Sequence, residues 1–122
     1  MLISKLFSFE AAHHLTNYKG APEPVHGHSW RLEVTCRGPV GRDGMVLDFA
    51  EIGTIVQEKV VDRLDHQDLN GIVENPSAER VAVWIWNEIG PHLPLHEIRV
   101  WEEPGCFVTY SGPRSNVQSP RS

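Results

Sequence analysis

The chain is organised around the stretch Glu23-Pro24-Val25-His26-Gly27-His28-Ser29-Trp30. Its two histidines are separated by one residue and lead into the alternating segment 29–36. Side chains in a strand repeat every two residues, so both imidazoles can point to one face. Gly27 lies between them without a Cβ, which leaves the backbone free to approach a ligand closely. Imidazole nitrogens on one face are typical ligands of Zn²⁺, although a His-x-His pair alone does not establish a metal site.

The composition is typical of a small globular protein. The 122 residues are 40% hydrophobic and 22% charged, which is enough for one domain with a modest core. The net charge of −5 argues against a general nucleic-acid binder, which needs a basic footprint. We expect residues 1–112 to form a single domain and the polar residues 113–122 to form a disordered tail.

The N-terminus and the cysteines bear on the location of the protein. Residues 1–5 lack the apolar run of a signal peptide, and no stretch is long enough to span a membrane. Cys36 and Cys106 are the only cysteines, and one pair does not make a disulfide framework. We therefore expect a cytoplasmic, reduced protein.

Alternating hydrophobicity predicts strands near both ends of the chain. Residues 2–12 form the first, and with Phe9 inward, His13 shares its face. Residues 29–37 form the second. Residues 98–101 and Cys106–Tyr110 predict two more strands, joined by a Pro-Gly turn. Residues 45–47 indicate a further short strand, and the segment 64–71 between the helices reads as a loop.

Two helices are predicted in the middle of the chain. Asp48 is a typical N-cap, and the apolar spacing from Phe49 continues to about Arg63. Ser77 is the N-cap of the second helix, which Gly90-Pro91 ends. The apolar positions with helical spacing in the first helix are Phe49, Ile52, Ile55, Val56 and Val60, and the predicted buried stripe of the second helix is Val81, Trp84, Ile85 and Ile89.

The order β-β-α-α-β-β predicts an α+β fold in which two helices cover one face of a four-stranded antiparallel sheet. Such a sheet leaves two open edges, which proteins cover or pair. Joining several sheets edge to edge into a barrel would remove these edges. We therefore expect a homo-oligomer.

Several polar residues are candidates for chemistry. His13 or His14 could complete a three-histidine metal site, and His13 is preferred because it lies on the inward face. Asp65 could fix the tautomer of His66 and so produce a general base. Adjacent loop residues need not touch, however, and His66 could instead be a loop-packing histidine.

Three glutamates are further candidates. Glu102 follows a predicted strand, where a carboxylate can bind a planar amidine-like edge through two parallel hydrogen bonds. It could equally form a solvated acidic pair with Glu103. Glu79 suits the start of a helix electrostatically and needs no further role. Glu23 precedes His26 by three residues, within reach of anything that a metal there would hold.

Together these motifs resemble the 6-pyruvoyl-tetrahydropterin synthase and 6-carboxytetrahydropterin synthase family. The matching residues are Phe9-Glu10-Ala11-Ala12-His13, His26-Gly27-His28, Asp48-Phe49, Leu64-Asp65-His66, Leu69-Asn70, Asn75-Pro76-Ser77, Glu79, Trp84-Ile85-Trp86 and Glu102. The resemblance implies the tunnelling fold, in which trimers form β-barrels and two trimers usually stack into a hexamer, with active sites between subunits.

The resemblance also implies roles for individual residues. It places zinc on His13, His26 and His28. It makes Asp65 and His66 a proton-relay pair. It makes Glu102 the anchor of the pterin ring, with Ser77 and Glu79 as further substrate-binding residues.

One departure from the family pattern directs the functional prediction. Most members carry a catalytic cysteine four residues before the first histidine of His-Gly-His, where this chain has Pro22. Glu23 follows, which resembles the third-type branch, in which glutamate replaces cysteine. That branch converts 7,8-dihydroneopterin triphosphate to 6-hydroxymethyl-7,8-dihydropterin for folate synthesis, and Glu23 would be the catalytic acid/base.

Two alternatives remain open at this point. One is 6-carboxy- or 6-pyruvoyl-tetrahydropterin synthesis, of the queuosine or biopterin type, with Glu23 used differently. The other is a catalytically silent oligomer that binds a pterin or a metal. The presence of Asp65, His66 and Glu102 argues against the silent oligomer, because a scaffold has no chemical need for all three.

Overall fold

A computed structural model describes residues 1–113. The part of the predicted tail from residue 114 onward lies outside the described residues. Five strands form one sheet in the order β3-β1-β2-β4-β5. They are β1 (Leu2–His13), β2 (His26–Arg37), β3 (Gln67–Asp68), β4 (Leu95–Glu103) and β5 (Cys106–Tyr110).

Four of the strands pair as predicted and the fifth does not. β1 and β2 are antiparallel over their full length, and β2 with β4 and β4 with β5 are antiparallel over shorter segments. β3 instead pairs in parallel with β1, with Ala11 opposite Gln67. The prediction of a loop over 64–71 was therefore wrong at this point. A strand of two residues is too short to show a period in the sequence.

The two helices begin at the predicted caps. The first runs as an α-helix over Phe49–Val56, a π-helical segment over Gln57–Val61 and an α-helical end over Asp62–Leu64. Asp48 accepts a hydrogen bond from the Ala50 N–H at 2.8 Å. The second helix is Ala78–Ile89, and Ser77 accepts one from the Arg80 N–H at 3.2 Å. Both N-cap predictions are confirmed.

Two local predictions were wrong. Residues 45–47 form no strand, because the backbone of Met45 bonds locally. Its carbonyl accepts from the Gly41 N–H, and its N–H donates to the Asp43 side chain. Trp84 is only half-buried and stacks against the guanidinium group of Arg63.

One hydrophobic core lies between the sheet and the helices. The buried side chains of the sheet are Phe9, Ala11, Trp30, Leu32, Val34, Cys36, Ile98 and Val100, and those of the two helices include Ile52, Val56, Val60, Leu64, Val81, Ile85 and Ile89. Both helices therefore cover the same face of the sheet, and the predicted α+β class is confirmed. The sheet is not closed, because β3 and β5 are its outer strands.

Within residues 1–113, no helix combines the length and the apolar character needed to cross a membrane.

Candidate active site

Three histidines meet at one end of the core face. The pairing of β1 with β2 places His13 directly opposite His26, and His28 lies two residues further along β2. The ring centroids are separated by 4.7 to 5.2 Å. One ring nitrogen of each histidine lies within 4.8 Å of the others. Trp30 packs edge-on against His13 at 5.0 Å and forms the floor of the cluster.

The backbone orients two of these rings. The Nδ1 atom of His13 lies 2.7 Å from the carbonyl oxygen of Pro76, and that of His26 lies 2.9 Å from the carbonyl oxygen of Pro24. A carbonyl can only accept, so Nδ1 carries the hydrogen in both rings and Nε2 presents its lone pair. This arrangement is typical of metal-binding histidines.

The cluster also contains polar atoms that lack partners. Among the described residues, Nε2 of His13 and Nε2 of His28 are buried without a hydrogen-bond partner. Buried polar atoms are normally satisfied, and an ion is one explanation for exceptions. Three imidazoles with an open fourth position are the donor set of catalytic zinc sites. The residues present therefore fit a bound metal ion.

His14 does not join the cluster. Its backbone N–H donates to Oδ1 of Asn70 at 2.9 Å, and its carbonyl accepts from Nδ2 of Asn70 at 3.0 Å. These bonds fix the chain where it leaves β1. Of the two histidines that could have completed the cluster, the structure brings His13 to it.

Asp65 and His66 are in contact. Oδ2 of Asp65 lies 3.0 Å from Nδ1 of His66. Glu10 holds both residues through its backbone, because its N–H donates to Oδ1 of Asp65 at 2.9 Å and its carbonyl accepts from the His66 N–H at 2.5 Å. His66 adopts a left-handed conformation with φ of 59°, which is uncommon outside glycine. These contacts stabilise a backbone that presents an exposed imidazole.

The contacts of Asp65 change its acidity. The Glu10 backbone N–H stabilises the charged carboxylate most strongly and lowers the pKa of Asp65, and the hydrogen bond and charge of His66 lower it further. Asp65 is therefore ionised at neutral pH. It can accept the Nδ1 hydrogen of His66 and leave Nε2 as a proton acceptor.

One cavity is lined by a member of the histidine cluster and by a member of the Asp65–His66 pair. A cavity of about 530 Å³ is lined by Glu10, His28, Ser29, His66 and Asp68, among others. His28 belongs to the cluster and His66 to the pair. The Ser29 hydroxyl donates to Oε1 of Glu10 at 2.6 Å and places that carboxylate at the same cavity.

The three predicted substrate-binding residues also share a cavity. Ser77, Glu79 and Glu102 line a space of about 470 Å³ beside the turn between β4 and β5. Oε1 of Glu102 lies 3.4 Å from Nε2 of His13. Glu102 and His28 line a further cavity of about 490 Å³. Glu102 thus lies between these cavities, next to the histidine cluster.

Glu23 contacts the segment that follows His13. Its Oε1 atom accepts a hydrogen bond from the Leu15 N–H at 2.7 Å, and its own N–H donates to the Leu15 carbonyl at 3.1 Å. Leu15 lines the cavity that contains Glu102. The loop carboxylate is therefore fixed against the end of β1 and is half-buried.

Two residues with a structural part in this site were missed by sequence reasoning. Pro76 orients His13 from 63 positions away. Glu10 holds Asp65 from 55 positions away. Both act through backbone atoms, which every residue type offers. The motif around each residue was visible, but no sequence signal indicates these contacts.

The fold and the site together define an α+β protein with a three-histidine centre beside three cavities lined by acidic side chains. The sequence profile of the 6-pyruvoyl tetrahydropterin synthase family matches residues 2–113. The chain belongs to this family, whose related members are enzymes of pterin metabolism.

Relatives and solved structures agree with this assignment. A 6-carboxy-5,6,7,8-tetrahydropterin synthase of Haemophilus influenzae is 32% identical, with 88% of this chain and 96% of the relative covered. A dihydroneopterin monophosphate aldolase of Pyrococcus furiosus is 38% identical, with 78% of this chain and 83% of the relative covered. The 6-pyruvoyl tetrahydropterin synthase structure of Caenorhabditis elegans matches with a TM-score of 0.81 and 25% identity, over 93% of this chain and 96% of that one. The tunnelling fold predicted from the sequence is confirmed.

Proposed function

We propose that this protein is a zinc-dependent pterin lyase that converts 7,8-dihydroneopterin triphosphate to 6-hydroxymethyl-7,8-dihydropterin for folate synthesis. The observation that carries the proposal is the position of Glu23, a carboxylate where cysteine is usual. Its bond to the Leu15 N–H holds it beside the segment that follows the metal-binding candidate His13. A relative that is 38% identical is named as an aldolase of a dihydroneopterin phosphate, which supports a carbon–carbon cleavage.

The three histidines are the proposed zinc ligands. His13 and His26 have their Nδ1 hydrogens engaged by backbone carbonyls, so each offers Nε2. His28 supplies a third buried nitrogen without another partner. Zinc bound there would supply Lewis-acid polarisation of the oxygens of the substrate side chain.

His66 and Glu23 are the proposed proton-transfer residues. Asp65 accepts the Nδ1 hydrogen of His66, so Nε2 can remove the proton from the second side-chain hydroxyl of the substrate. The bond between the first two side-chain carbons then breaks, and the second carbon becomes an aldehyde. The electron pair passes to the first carbon, where conjugation with the ring stabilises it. Glu23, in its protonated form, returns a proton to that carbon and leaves the hydroxymethyl group.

Glu102 is the proposed anchor of the pterin ring. Its carboxylate can accept two N–H bonds from the amino-pyrimidine edge, as it would from arginine. Ser77 and Glu79 line the same cavity and are proposed to bind other polar atoms of the substrate.

We propose further that one domain spans residues 1–112 and that the protein assembles as a trimer-based barrel, as a hexamer of two trimers. Two features support the assembly. β3 and β5 leave open edges in the single chain, and unpaired edges favour pairing with another chain. The His66 side chain is 77% exposed, as expected for a catalytic group that completes a site between subunits.

A second candidate function is 6-carboxytetrahydropterin synthesis. The Haemophilus influenzae relative with that name aligns over 96% of its length. In this alternative, the same histidines and the Asp65–His66 pair would act on the same class of substrate. The two functions differ in which side-chain bonds break, so the product distinguishes them.

Product analysis tests the proposal directly. Zinc-loaded protein is incubated with 7,8-dihydroneopterin triphosphate and, separately, with the monophosphate, and the pterins are identified by chromatography and mass spectrometry. We expect 6-hydroxymethyl-7,8-dihydropterin with a two-carbon aldehyde phosphate as the other fragment. A 6-carboxy product would support the second candidate instead. Recovery of unchanged substrate would contradict both functions.

A further inference from the structure

A carboxylate oxygen of Glu102 lies close to Nε2 of His13, although neither atom donates a hydrogen bond to the other. Nδ1 of His13 donates to the Pro76 carbonyl at 2.7 Å, so Nε2 of the neutral ring presents a lone pair. A carboxylate oxygen of Glu102 lies only 3.4 Å away, yet Nε2 has no hydrogen-bond partner. Two lone pairs that face each other repel, and a cation bound by both would remove the repulsion.

The separation of the two atoms suits such a cation. In a tetrahedral zinc site with bonds of about 2.0–2.1 Å, adjacent ligand atoms lie about 3.3–3.4 Å apart. The Glu102–His13 distance of 3.4 Å has this value. Glu102 is outside the tight cluster formed by His13, His26 and His28. Its position therefore corresponds to a neighbour of His13 on the open side of the cluster.

The surroundings of Glu102 allow it to face in two directions. Its side chain is 29% exposed, whereas that of His13 is 2% exposed. It lines one cavity with Ser77 and Glu79 and another with His28. The carboxylate can therefore interact with the cation and with a ligand in the neighbouring cavity.

We infer that the Glu102 carboxylate helps to hold the metal ion bound by the three histidines, in addition to contacting the pterin. This inference rests on the proposed function only for the identity of the metal and the ligand. A carboxylate that contacts the ion itself should change metal affinity at least as much as an outer partner of the ligands does, for which about 10- to 100-fold is usual. Because both groups bind at one carboxylate, metal binding and pterin binding at Glu102 are thermodynamically coupled.

Zinc affinity tests the inference without reference to turnover. The full-length metal-free protein is titrated with zinc against a chromophoric chelator of known affinity. We expect Glu102→Gln to raise the zinc Kd about 10- to 100-fold. Glu103→Gln is the matched control, because it removes the adjacent carboxylate, and it should leave the Kd within about twofold of the parent value. Circular dichroism and gel filtration verify that each variant is folded.

An unchanged zinc Kd in Glu102→Gln would overturn the inference. If this variant does not fold, Glu102→Asp is used instead, because aspartate is shorter by one methylene group and moves the carboxylate away from His13. A parent-like zinc Kd in Glu102→Asp would again overturn the inference. The affinity for neopterin is measured on the same variants. Loss of neopterin binding with unchanged zinc affinity would leave the proposed function intact and overturn only the role of Glu102 toward the metal.

Discussion

At the scale of single residues, the site depends on side chains whose protonation is set by backbone contacts. The Glu10 N–H stabilises the Asp65 carboxylate, and a carbonyl oxygen fixes the tautomer of His13. Neither effect requires a particular side chain at Glu10 or Pro76. The chemistry of the proposed acid/base groups therefore depends on where the backbone of β1 and of the loops lies.

Asp65 gives the stability of the protein a defined pH dependence. Its pKa is lowered in the folded chain, so the unfolded state binds its proton more tightly. Its contribution to stability is complete above about pH 4 and is lost as the pH falls through the lowered pKa. We expect Asp65→Asn to lower the urea midpoint of the metal-free protein at pH 7. The midpoints of the variant and of the parent should converge as the pH falls toward 3. An equal difference at both pH values would contradict this account.

Glu23 should be required for carbon–carbon cleavage and not for metal binding. Glu23→Gln keeps an acceptor for the Leu15 N–H but cannot exchange a proton. We expect formation of 6-hydroxymethyl-7,8-dihydropterin to fall about 10²- to 10⁴-fold, the usual contribution of a positioned acid/base. The rate is measured by single-time-point product quantification at saturating zinc.

Glu74→Gln is the control for this change, because Glu74 is an exposed loop carboxylate outside the proposed site, and its variant should retain the parent rate. A parent rate with the same product in Glu23→Gln would make Glu23 a bystander. The hydroxymethyl-forming assignment would then lose its main support.

At the scale of elements, the register of β1 against β2 builds the histidine cluster. The two strands pair without interruption from Leu2 opposite Arg37 to His13 opposite His26. A slip of one residue would turn His26 and His28 to the opposite face. The buried residues Trp30 and Leu32 follow the histidines on the same face, and their burial fixes the register. The apolar half of β2 therefore positions the polar half.

Removal of one histidine from β2 should separate metal binding from folding. We expect one zinc per parent chain. We expect His28→Ala to lose most of it while the protein stays folded, because the hydrophobic core does not include the three histidines. Zinc is measured by elemental analysis and folding by circular dichroism. His92→Ala, which changes an exposed histidine elsewhere, should retain full zinc. Full zinc in His28→Ala would remove His28 from the ligand set.

At the scale of the whole molecule, the single chain leaves its sheet unfinished. The outer strand β3 has two residues and the outer strand β5 has five. Phe107 on β5 is 50% exposed, and Leu2 and Leu6 on β1 are exposed as well. An open sheet with apolar side chains at its edge and on its outer strands favours association with further copies.

We therefore expect a hexamer in solution, with a mass near six times the 13.8 kDa of one chain. The expected reason is edge-to-edge pairing of the sheets into a trimeric barrel, followed by stacking of two trimers. Light scattering coupled to gel filtration measures the mass. A mass of three chains would support the barrel but contradict the stacking of two trimers. A monomer that still turns over substrate would contradict a site between subunits.

The sequence by itself determined most of the local structure. The caps Asp48 and Ser77, the strand Cys106–Tyr110 and the inward face of residues 30–36 were predicted from capping chemistry and period-2 alternation. Such signals are local, because a cap bonds within its own first turn and alternation follows from strand geometry. The family motifs added the candidate residues, but not the contacts between them.

Only the tertiary structure decided how the candidate site is put together. It placed β3 beside β1, brought His13 and not His14 into the histidine cluster, brought Asp65 and His66 into contact, and set Glu102 3.4 Å from His13. These arrangements join positions that are distant in sequence, such as His13 and Glu102, and several residues of the site are held by backbone atoms, which every residue provides. Their free energy depends on the packing of the whole core, which has no signature in any short stretch of sequence.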